Sequence, residues 1–182
     1  MGSDDLFYKR KTKTAQAHGR KKAKQASYDR VLIVCEGQKT EPNYFMGLRR
    51  ALGLNPANVV IDDRKNGLDP KKLVEYALEL YKKDSDFNDV FCVFDKDKHT
   101  TYAAALDKIK ATRMKPGTKL HPITSIPCFE VWILLHFDYS TAPFEAAGHD
   151  SNCALVIREL RKAGRIPEYE KGSLNVYALL AD

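Results

Sequence analysis

The feature that most constrains the fold is an alternation of short apolar runs with amphipathic segments. RVLIVC, NVVID and DVFCVF are rich in branched and aromatic residues and are predicted to be strands. A helix is predicted over Glu41–Leu52 with Thr40 as its cap, and a second follows Asp69, the predicted cap of PKKLVEYALELYKK. Apolar strands separated by helices are typical of a parallel sheet. The sequence therefore predicts an α/β fold of the Rossmann type, with a mostly parallel sheet and helices on both faces.

The 182 residues are enough for one domain, and the positive charge is concentrated near the N-terminus. The formal net charge is +6, and residues 1–30 hold nine Lys and Arg against three acids, so that the remaining chain is neutral. Residues 1–29 are predicted to form a flexible basic arm, and residues 30–182 an α/β domain. The arm is interpreted as a solubilising tail, as a segment that binds a partner protein, or as a segment that lies along a nucleic-acid backbone. In the last case the phosphate-binding residues are Lys9, Arg10, Lys11, Lys13, Arg20, Lys21, Lys22 and Lys24.

The composition disfavours several classes of protein. No apolar run approaches the roughly 20 residues that span a bilayer, and residues 1–10 lack the apolar region of a secretory signal. The four cysteines are far apart and three lie in apolar runs, which predicts free thiols, a cytoplasmic protein and no zinc site. The final run, VYALLAD, has the pattern of an apolar helix cut short, so a missing C-terminal helix is expected.

Acidic residues lie at the carboxyl ends of all three predicted strands, with Asp62 and Asp63 at the end of NVVID. Glu36, with a glycine after it, follows RVLIVC, and Asp95 and Asp97 follow VFCVF. In parallel α/β sheets these ends form the ligand-binding edge, so the carboxylates are expected to lie together. Carboxylate oxygens are the ligands that Mg²⁺ prefers, and a carboxylate such as Glu36 can instead act as a general base. The alternative is that aspartate occurs there because it favours turns, which is the preferred interpretation for Asp62 and Asp63.

Another acidic residue lies in the apolar run SIPCFEVWILLHF. A helix is predicted over Ile126–Phe137 with Pro127 in its first turn, and the scarcity of polar residues predicts that it is buried nearly all round. Glu130 then points into an apolar layer, where an unpaired carboxylate is strongly unfavourable. Its partner is predicted to be a buried lysine or backbone amides, or else a metal cluster at the sheet edge. His136 is interpreted as a packing histidine.

The residues at the strand ends resemble a known arrangement. An acid and a glycine after one strand, with an acid pair after a later one, are similar to the Toprim pattern. The longer runs CEGQKTEPNYF, VFDKDKH and PCFEVWILLHF resemble the RloB family, and the resemblance extends from Val31 to the C-terminus. It implies a Toprim-like, magnesium-dependent nuclease that acts in abortive infection or phage defence with an ABC-type or AAA ATPase as its partner.

The resemblance also implies roles for individual residues. Glu36 would be the general base or acid, and Asp95 and Asp97 would bind Mg²⁺ or Mn²⁺. Glu41 and Glu130 lie inside the RloB-like runs and are candidate ligands, although the general Toprim pattern gives them no role.

The predicted reaction is hydrolysis of phosphodiester bonds in DNA or RNA, with tRNA among the RNA candidates. One or two metal ions would polarise the phosphate, while Glu36 or a bound water supplies the attacking oxygen. Lys39, Lys98 and His99 are predicted to neutralise the developing charge, with His99 alternatively a simple loop residue. Lys96 and Lys98 interleave the acids, and an ion pair with Asp97 would weaken metal binding.

Two further functions are compatible with the sequence. The first is a catalytically silent subunit that binds nucleic acid and signals to an ATPase. The second is a receiver-like magnesium switch, which would require a pair of acids after the first strand, where this chain has one glutamate. A cytoplasmic homo-oligomer is compatible with all three functions.

Overall fold

The computed structural model describes residues 28–64, 67–96, 100–139, 141, 143–144 and 150–180. At the centre of the protein is one sheet of four parallel strands in the order β2-β1-β3-β4. The predicted strands are confirmed as β1 (Val31–Cys35), β2 (Val59–Asp62) and β3 (Asp89–Asp95), and β3 also pairs with a fourth strand, β4 (Lys119–Ser125). The sheet order reverses between β1 and β3, because the chain first continues to one side of β1 and then crosses to the other.

Helices cover both faces of the sheet. They are α1 (Thr40–Ala51), α2 (Pro70–Lys83), α3 (Tyr102–Ala111), α4 (Glu130–Leu134) and α5 (Asn152–Leu160), followed by a 3₁₀ turn at Ala178–Leu180. On β1 and β3, Val34 and Cys92 pack in a core with α2 and α3. The next residues along, Cys35 and Val93, face the opposite side and pack in a core with α1, α4 and α5. The predicted α/β fold with a parallel sheet is therefore confirmed.

The two predicted helix caps have different outcomes. Asp69 caps α2 as predicted, because its carboxylate accepts a hydrogen bond from the backbone N–H of Lys72 at 3.1 Å. The prediction that Thr40 caps α1 is wrong: Lys39 occupies the cap position and Thr40 is the first residue of the helix. The Thr40 hydroxyl instead accepts a hydrogen bond from the backbone N–H of Gly172 at 3.1 Å. This long-range contact fixes a distant segment against the start of α1.

The helix predicted over Ile126–Phe137 is shorter and less buried than expected. Only five residues are helical, and on one face of α4 Glu130, Ile133 and Leu134 are buried. Trp132, on the opposite face, is 48% exposed. The prediction of burial nearly all round is wrong, because only one side of α4 packs into the apolar layer with α5 and the sheet.

The prediction of four free thiols is wrong for one pair of cysteines. Cys128 and Cys153 are joined by a disulfide, which links the residues before α4 to α5. Cys35 and Cys92 are free and buried, as predicted. Burial raises the pKa of the Cys92 thiol to about 12, and burial together with nearby carboxylates raises the pKa of Cys35. The pair was not predicted because the cysteines are 25 residues apart and only the packing of α4 on α5 brings them together.

Several residues with predicted roles lie outside the part of the chain that the structure describes. Residues 1–27 are among them, so the basic arm and its eight candidate phosphate-binding residues remain predictions. Among the described helices, none has the length and apolar character needed to span a membrane.

Candidate functional site

Glu36 and Asp95 lie together at the carboxyl edge of the sheet, as predicted. Glu36 follows β1, and its backbone N–H donates to the carbonyl oxygen of Val93 in β3 at 2.9 Å. The backbone N–H of Asp95, the last residue of β3, donates to the Glu36 carboxylate at 3.1 Å. These two strands flank the point where the sheet order reverses, which is the place where parallel α/β proteins open a crevice for ligands.

Glu41 reaches the same place from the first turn of α1. It is only 7% exposed. A Cβ atom at Gly37 would lie 2.3 Å from the Glu41 Oε2 atom, so the missing side chain at Gly37 is what allows the carboxylate to rest against the backbone. The Glu-Gly pair seen in the sequence thus places two carboxylates, Glu36 directly and Glu41 through the space that Gly37 leaves.

Glu130 lies behind these residues at the start of α4 and is 0% exposed. Its Oε1 atom accepts a hydrogen bond from the Tyr169 hydroxyl at 3.2 Å, and the Lys171 Nζ atom lies 3.7 Å from the same oxygen. The Cys153 sulfur lies 3.4 Å from Oε2. Glu130 therefore has a lysine neighbour and also borders the acidic cluster, whereas a metal ion as its partner remains a prediction. The lysine, however, is 58% exposed and not buried.

The four carboxylates influence one another electrostatically. Burial and, to a smaller extent, the negative charges of Glu41, Glu36 and Glu130 raise the pKa of Asp95 to about 8, although a hydrogen bond from the Phe129 backbone acts in the opposite direction. Burial also raises the pKa of Glu41, as do the charges of Glu130 and Glu36, whereas the nearby Lys171 lowers it. Bringing this much negative charge together is unfavourable without a cation.

A cleft of about 550 Å³ opens onto this cluster. Its lining includes three of the carboxylates and the side chains or backbone of residues 37–40, 67–68 and 171–172. Carboxylate oxygens are the ligands that hard divalent cations such as Mg²⁺ or Mn²⁺ prefer, and such ions retain water molecules that a substrate phosphate can replace. Within the described residues, no three of these carboxylates have ligand atoms within 4.8 Å of one another, so they would have to move closer to hold one ion together. The residues that could hold it are Glu36, Glu41, Asp95 and Glu130.

Two lysines border the cleft, and the sequence analysis identified one of them. Lys39, a predicted catalytic residue, is exposed at the start of α1. Lys171 was not predicted. A Cβ atom at Gly172 would lie 2.9 Å from the Lys39 Cβ and Cδ atoms, and Gly172 has a positive φ of 83° that favours glycine. The segment that carries Tyr169 and Lys171 is thus packed closely against the start of α1.

Further contacts hold this segment, which sequence reasoning missed. The Asn43 side chain donates to the carbonyl oxygens of Gly172 and Ser173 at 3.2 and 3.1 Å. These residues are about 130 positions apart in the chain, and the run EYEKGS contains no recognisable motif. The glycine was the only local signal, and it does not indicate what the segment contacts.

Three predicted site residues, Asp97, Lys98 and His99, lie outside the described residues. Of the predicted acid pair at the end of β3, only Asp95 is therefore among the described residues. The backbone N–H of Lys96 donates to the carbonyl oxygen of Ser125 at 2.9 Å, so the chain still follows the sheet as it leaves β3. The metal-binding role of Asp97 and the charge-neutralising roles of Lys98 and His99 remain predictions.

Two other polar residues have structural contacts. Asp62 is buried and forms an ion pair with Arg64, and it accepts a hydrogen bond from the Tyr76 hydroxyl at 3.0 Å. His136 lies 3.0 Å from the Tyr44 hydroxyl and packs beside Trp132, in agreement with its interpretation as a packing histidine.

The fold and the cleft define a class of protein: a parallel α/β protein with an acidic site at the carboxyl edge of its sheet, where the strand order reverses. A family model described as RloB-like protein matches residues 31–180, which contain the four strands and five helices of the described part of the chain. The chain belongs to the RloB-like protein family, as its three sequence runs predicted. Searches of curated proteins and of solved structures found no match.

Proposed function

We propose that this protein is a metal-dependent nuclease that hydrolyses phosphodiester bonds. The observation that carries the proposal is the placement of three carboxylates on one cleft with a fourth, Glu130, buried behind them, where burial and mutual repulsion raise the pKa of Asp95 to about 8. A divalent cation relieves charge crowded in this way, and a cation so placed can also catalyse phosphodiester hydrolysis.

The carboxylates have different positions relative to the cleft. Glu36, Glu41 and Asp95 line it, whereas Glu130 is fully buried behind them and is oriented by Tyr169. A cation bound here would polarise the phosphate and lower the pKa of a water molecule. Glu36 already accepts a hydrogen bond from the Asp95 backbone, which fixes its carboxylate at the strand end for metal binding or for accepting a proton.

The two lysines supply the opposite charge. Lys39 and Lys171 border the cleft, where they can contact a phosphodiester and stabilise the charge that develops on its oxygens. Lys98 and His99 are proposed to act in the same way. We propose DNA or RNA as the substrate, because the basic residues of the N-terminal arm suit a long phosphate backbone. Through the resemblance to the RloB family, the proposed setting is phage defence with an ABC-type or AAA ATPase as partner.

Cleavage assays with matched variants test the proposal. Supercoiled DNA, single-stranded DNA and tRNA are incubated with the protein and Mg²⁺ or Mn²⁺, and chelation should abolish cleavage. Loss of a residue that only supports a metal ligand reduces activity roughly 10- to 100-fold. Asp95→Asn changes a proposed ligand itself, so it should reduce the cleavage rate by more than this. Asparagine has the shape of the neutral carboxyl group that the raised pKa favours, so the fold should be preserved.

Asp107→Asn is the matched control, since Asp107 is an exposed acid on α3 away from the cleft. Binding of Mn²⁺ is measured in parallel as a shift in melting temperature, because this measurement needs neither nucleic acid nor a partner protein. Equal Mn²⁺ shifts for the wild type and Asp95→Asn would place the metal elsewhere. Binding of Mn²⁺ and nucleic acid without cleavage would favour the silent sensor subunit.

A further inference from the structure

We infer that the Cys128–Cys153 disulfide is a reversible redox switch that controls metal binding at the acidic cleft. The inference rests on the proposed function, because it concerns regulation of the same site. Two observations support the inference. A disulfide lies in the packing between α4 and α5, and one of its sulfurs contacts Glu130.

The disulfide borders the deepest carboxylate of the cluster. The two sulfurs and a carboxylate oxygen of Glu130 all lie within 4.8 Å of one another. The Cys153 sulfur lies 3.4 Å from Oε2, while the other oxygen of Glu130 accepts the hydrogen bond from Tyr169. A chemical change at Cys153 is therefore transmitted directly to Glu130.

Reduction changes what Cys153 can donate. A dithiol transfers two electrons and two protons to the pair: the S–S bond breaks, two S–H bonds form, and the dithiol closes into its own disulfide. In the oxidised protein the Cys153 sulfur carries no proton. In the reduced protein its S–H group is within hydrogen-bonding distance of Glu130 Oε2 and occupies a lone pair that a metal ion would otherwise use.

The covalent link also positions the residues that follow α5. The Arg161 side chain at the end of α5 donates to the Tyr169 carbonyl oxygen at 2.9 Å, and Tyr169 in turn donates to Glu130. The disulfide joins α5 to the residues before α4. It therefore restrains Arg161, where this series of contacts begins, and Glu130, where it ends. Reduction removes the restraint, and both effects weaken metal binding in the reduced protein.

The pair can be reduced selectively. Cys153 is partly exposed, whereas the free cysteines Cys35 and Cys92 are 1% and 0% exposed. A small dithiol added to the folded protein therefore acts on the disulfide, and alkylation after unfolding distinguishes two free thiols in the oxidised protein from four in the reduced one.

The test compares the two forms of the full chain. One sample is oxidised with glutathione disulfide and the other reduced with a dithiol, each is desalted without oxygen, and the Mn²⁺ affinity is measured from the shift in melting temperature. We expect binding to be about 3- to 10-fold weaker in the reduced form, because one hydrogen bond that competes with the metal for the Glu130 carboxylate corresponds to a change of this size. Cys128→Ser should bind Mn²⁺ like the reduced protein under both conditions, and Cys92→Ala should keep the wild-type response.

The outcomes separate the two proposals. Four alkylated thiols after the oxidising treatment, or equal Mn²⁺ affinity in the two wild-type forms, would overturn the switch and leave the metal site standing. Absence of any Mn²⁺ shift in both forms would overturn the proposed function and the switch together. The comparison of wild-type forms requires no variant, so it decides the question even where Cys128→Ser does not fold.

Discussion

At the scale of single residues, the cleft keeps acids in positions that are unfavourable for the folded chain alone. Asp95 has the clearest cost, since burial and three neighbouring carboxylates raise its pKa from an ordinary 3.8 to about 8. The Phe129 backbone and the nearby Lys171 offset part of the repulsion in the cluster, the first at Asp95 and the second at Glu41. Polar groups held at such a cost are characteristic of functional sites.

This pKa predicts how the stability of the metal-free protein depends on pH. Asp95 ionises near pH 4 in the unfolded chain and near pH 8 in the folded protein, so between these values only the folded state holds the proton. The free energy of unfolding therefore falls as the pH rises through this interval, by up to about 2.5 kcal/mol between pH 6 and 8. Thermal melting in the presence of a chelator measures the decline.

Two comparisons assign the decline to this residue. In Asp95→Asn the contribution is missing, so the melting temperature should depend less on pH than in the wild type. Saturating Mn²⁺ should also flatten the wild-type curve, because a bound cation keeps the carboxylate ionised without penalty. A decline of equal size in wild type and variant would show that other groups cause it.

At the scale of elements, the site depends on how closely α1 approaches the end of β1. Gly37 and Glu41 are neighbours at this junction, and a Cβ atom at position 37 would overlap the Glu41 carboxylate. The φ angle of Gly37 is not in the region that favours glycine, so alanine suits the backbone and only the Glu41 side chain needs to move. A methyl group placed there tests the position of the carboxylate without disturbing the elements.

We therefore expect Gly37→Ala to leave the fold intact and to weaken Mn²⁺ binding roughly tenfold, as displacement of a supporting carboxylate does elsewhere. The measurement is the Mn²⁺-dependent shift in melting temperature. Glu41→Ala provides the second arm of a double-mutant cycle. In that background Gly37→Ala should have almost no further effect, because the group it displaces is gone. Additive losses would mean that Gly37 acts through the backbone and not through Glu41.

The elements also show where sequence reasoning succeeds. β1, β3 and α2 were predicted because their signals are local: continuous apolar runs, and an aspartate cap followed by proline. β4 was not predicted, since KLHPITS is polar and contains Pro122. Proline is accepted there because β4 lies at the edge of the sheet, a position that only the strand order reveals.

The same distinction applies to the site. Glu36 and Asp95 were predicted because each ends a strand, and parallel strands place their ends along one edge. Tyr169, Lys171 and the disulfide were not, because their contacts with Glu130 join separate parts of the chain through packing. A pattern in the sequence reports which residues share an element face, but it carries no record of which distant segment covers that face.

At the scale of the whole molecule, the excess positive charge and the candidate site lie in different parts of the chain. The eight cations of the arm lie within residues 9–24, and from residue 31 onward positive and negative residues balance. The ninth cation, Arg30, already has partners in the described structure, since its guanidinium forms ion pairs with Asp84 and Asp86 and lies over the Phe87 ring. An acidic cleft repels a polyanion, so attraction to nucleic acid has to come from elsewhere, and the arm is the strongest source in the sequence.

Deletion of residues 1–29 should therefore weaken nucleic-acid binding and flatten its salt dependence, while the melting temperature and the Mn²⁺ shift stay unchanged. Each phosphate neutralised on duplex DNA contributes about 0.9 to the slope of log affinity against log salt, so eight such contacts correspond to a loss of up to about 7. Fluorescence anisotropy with labelled DNA at several salt concentrations measures the slope.

A variant with the arm sequence scrambled is the matched control, and it should bind like the wild type because the attraction depends on charge and not on order. Equal slopes for the full and shortened chains would exclude the arm from phosphate binding and favour its interpretation as a solubilising tail or a segment that binds a partner protein.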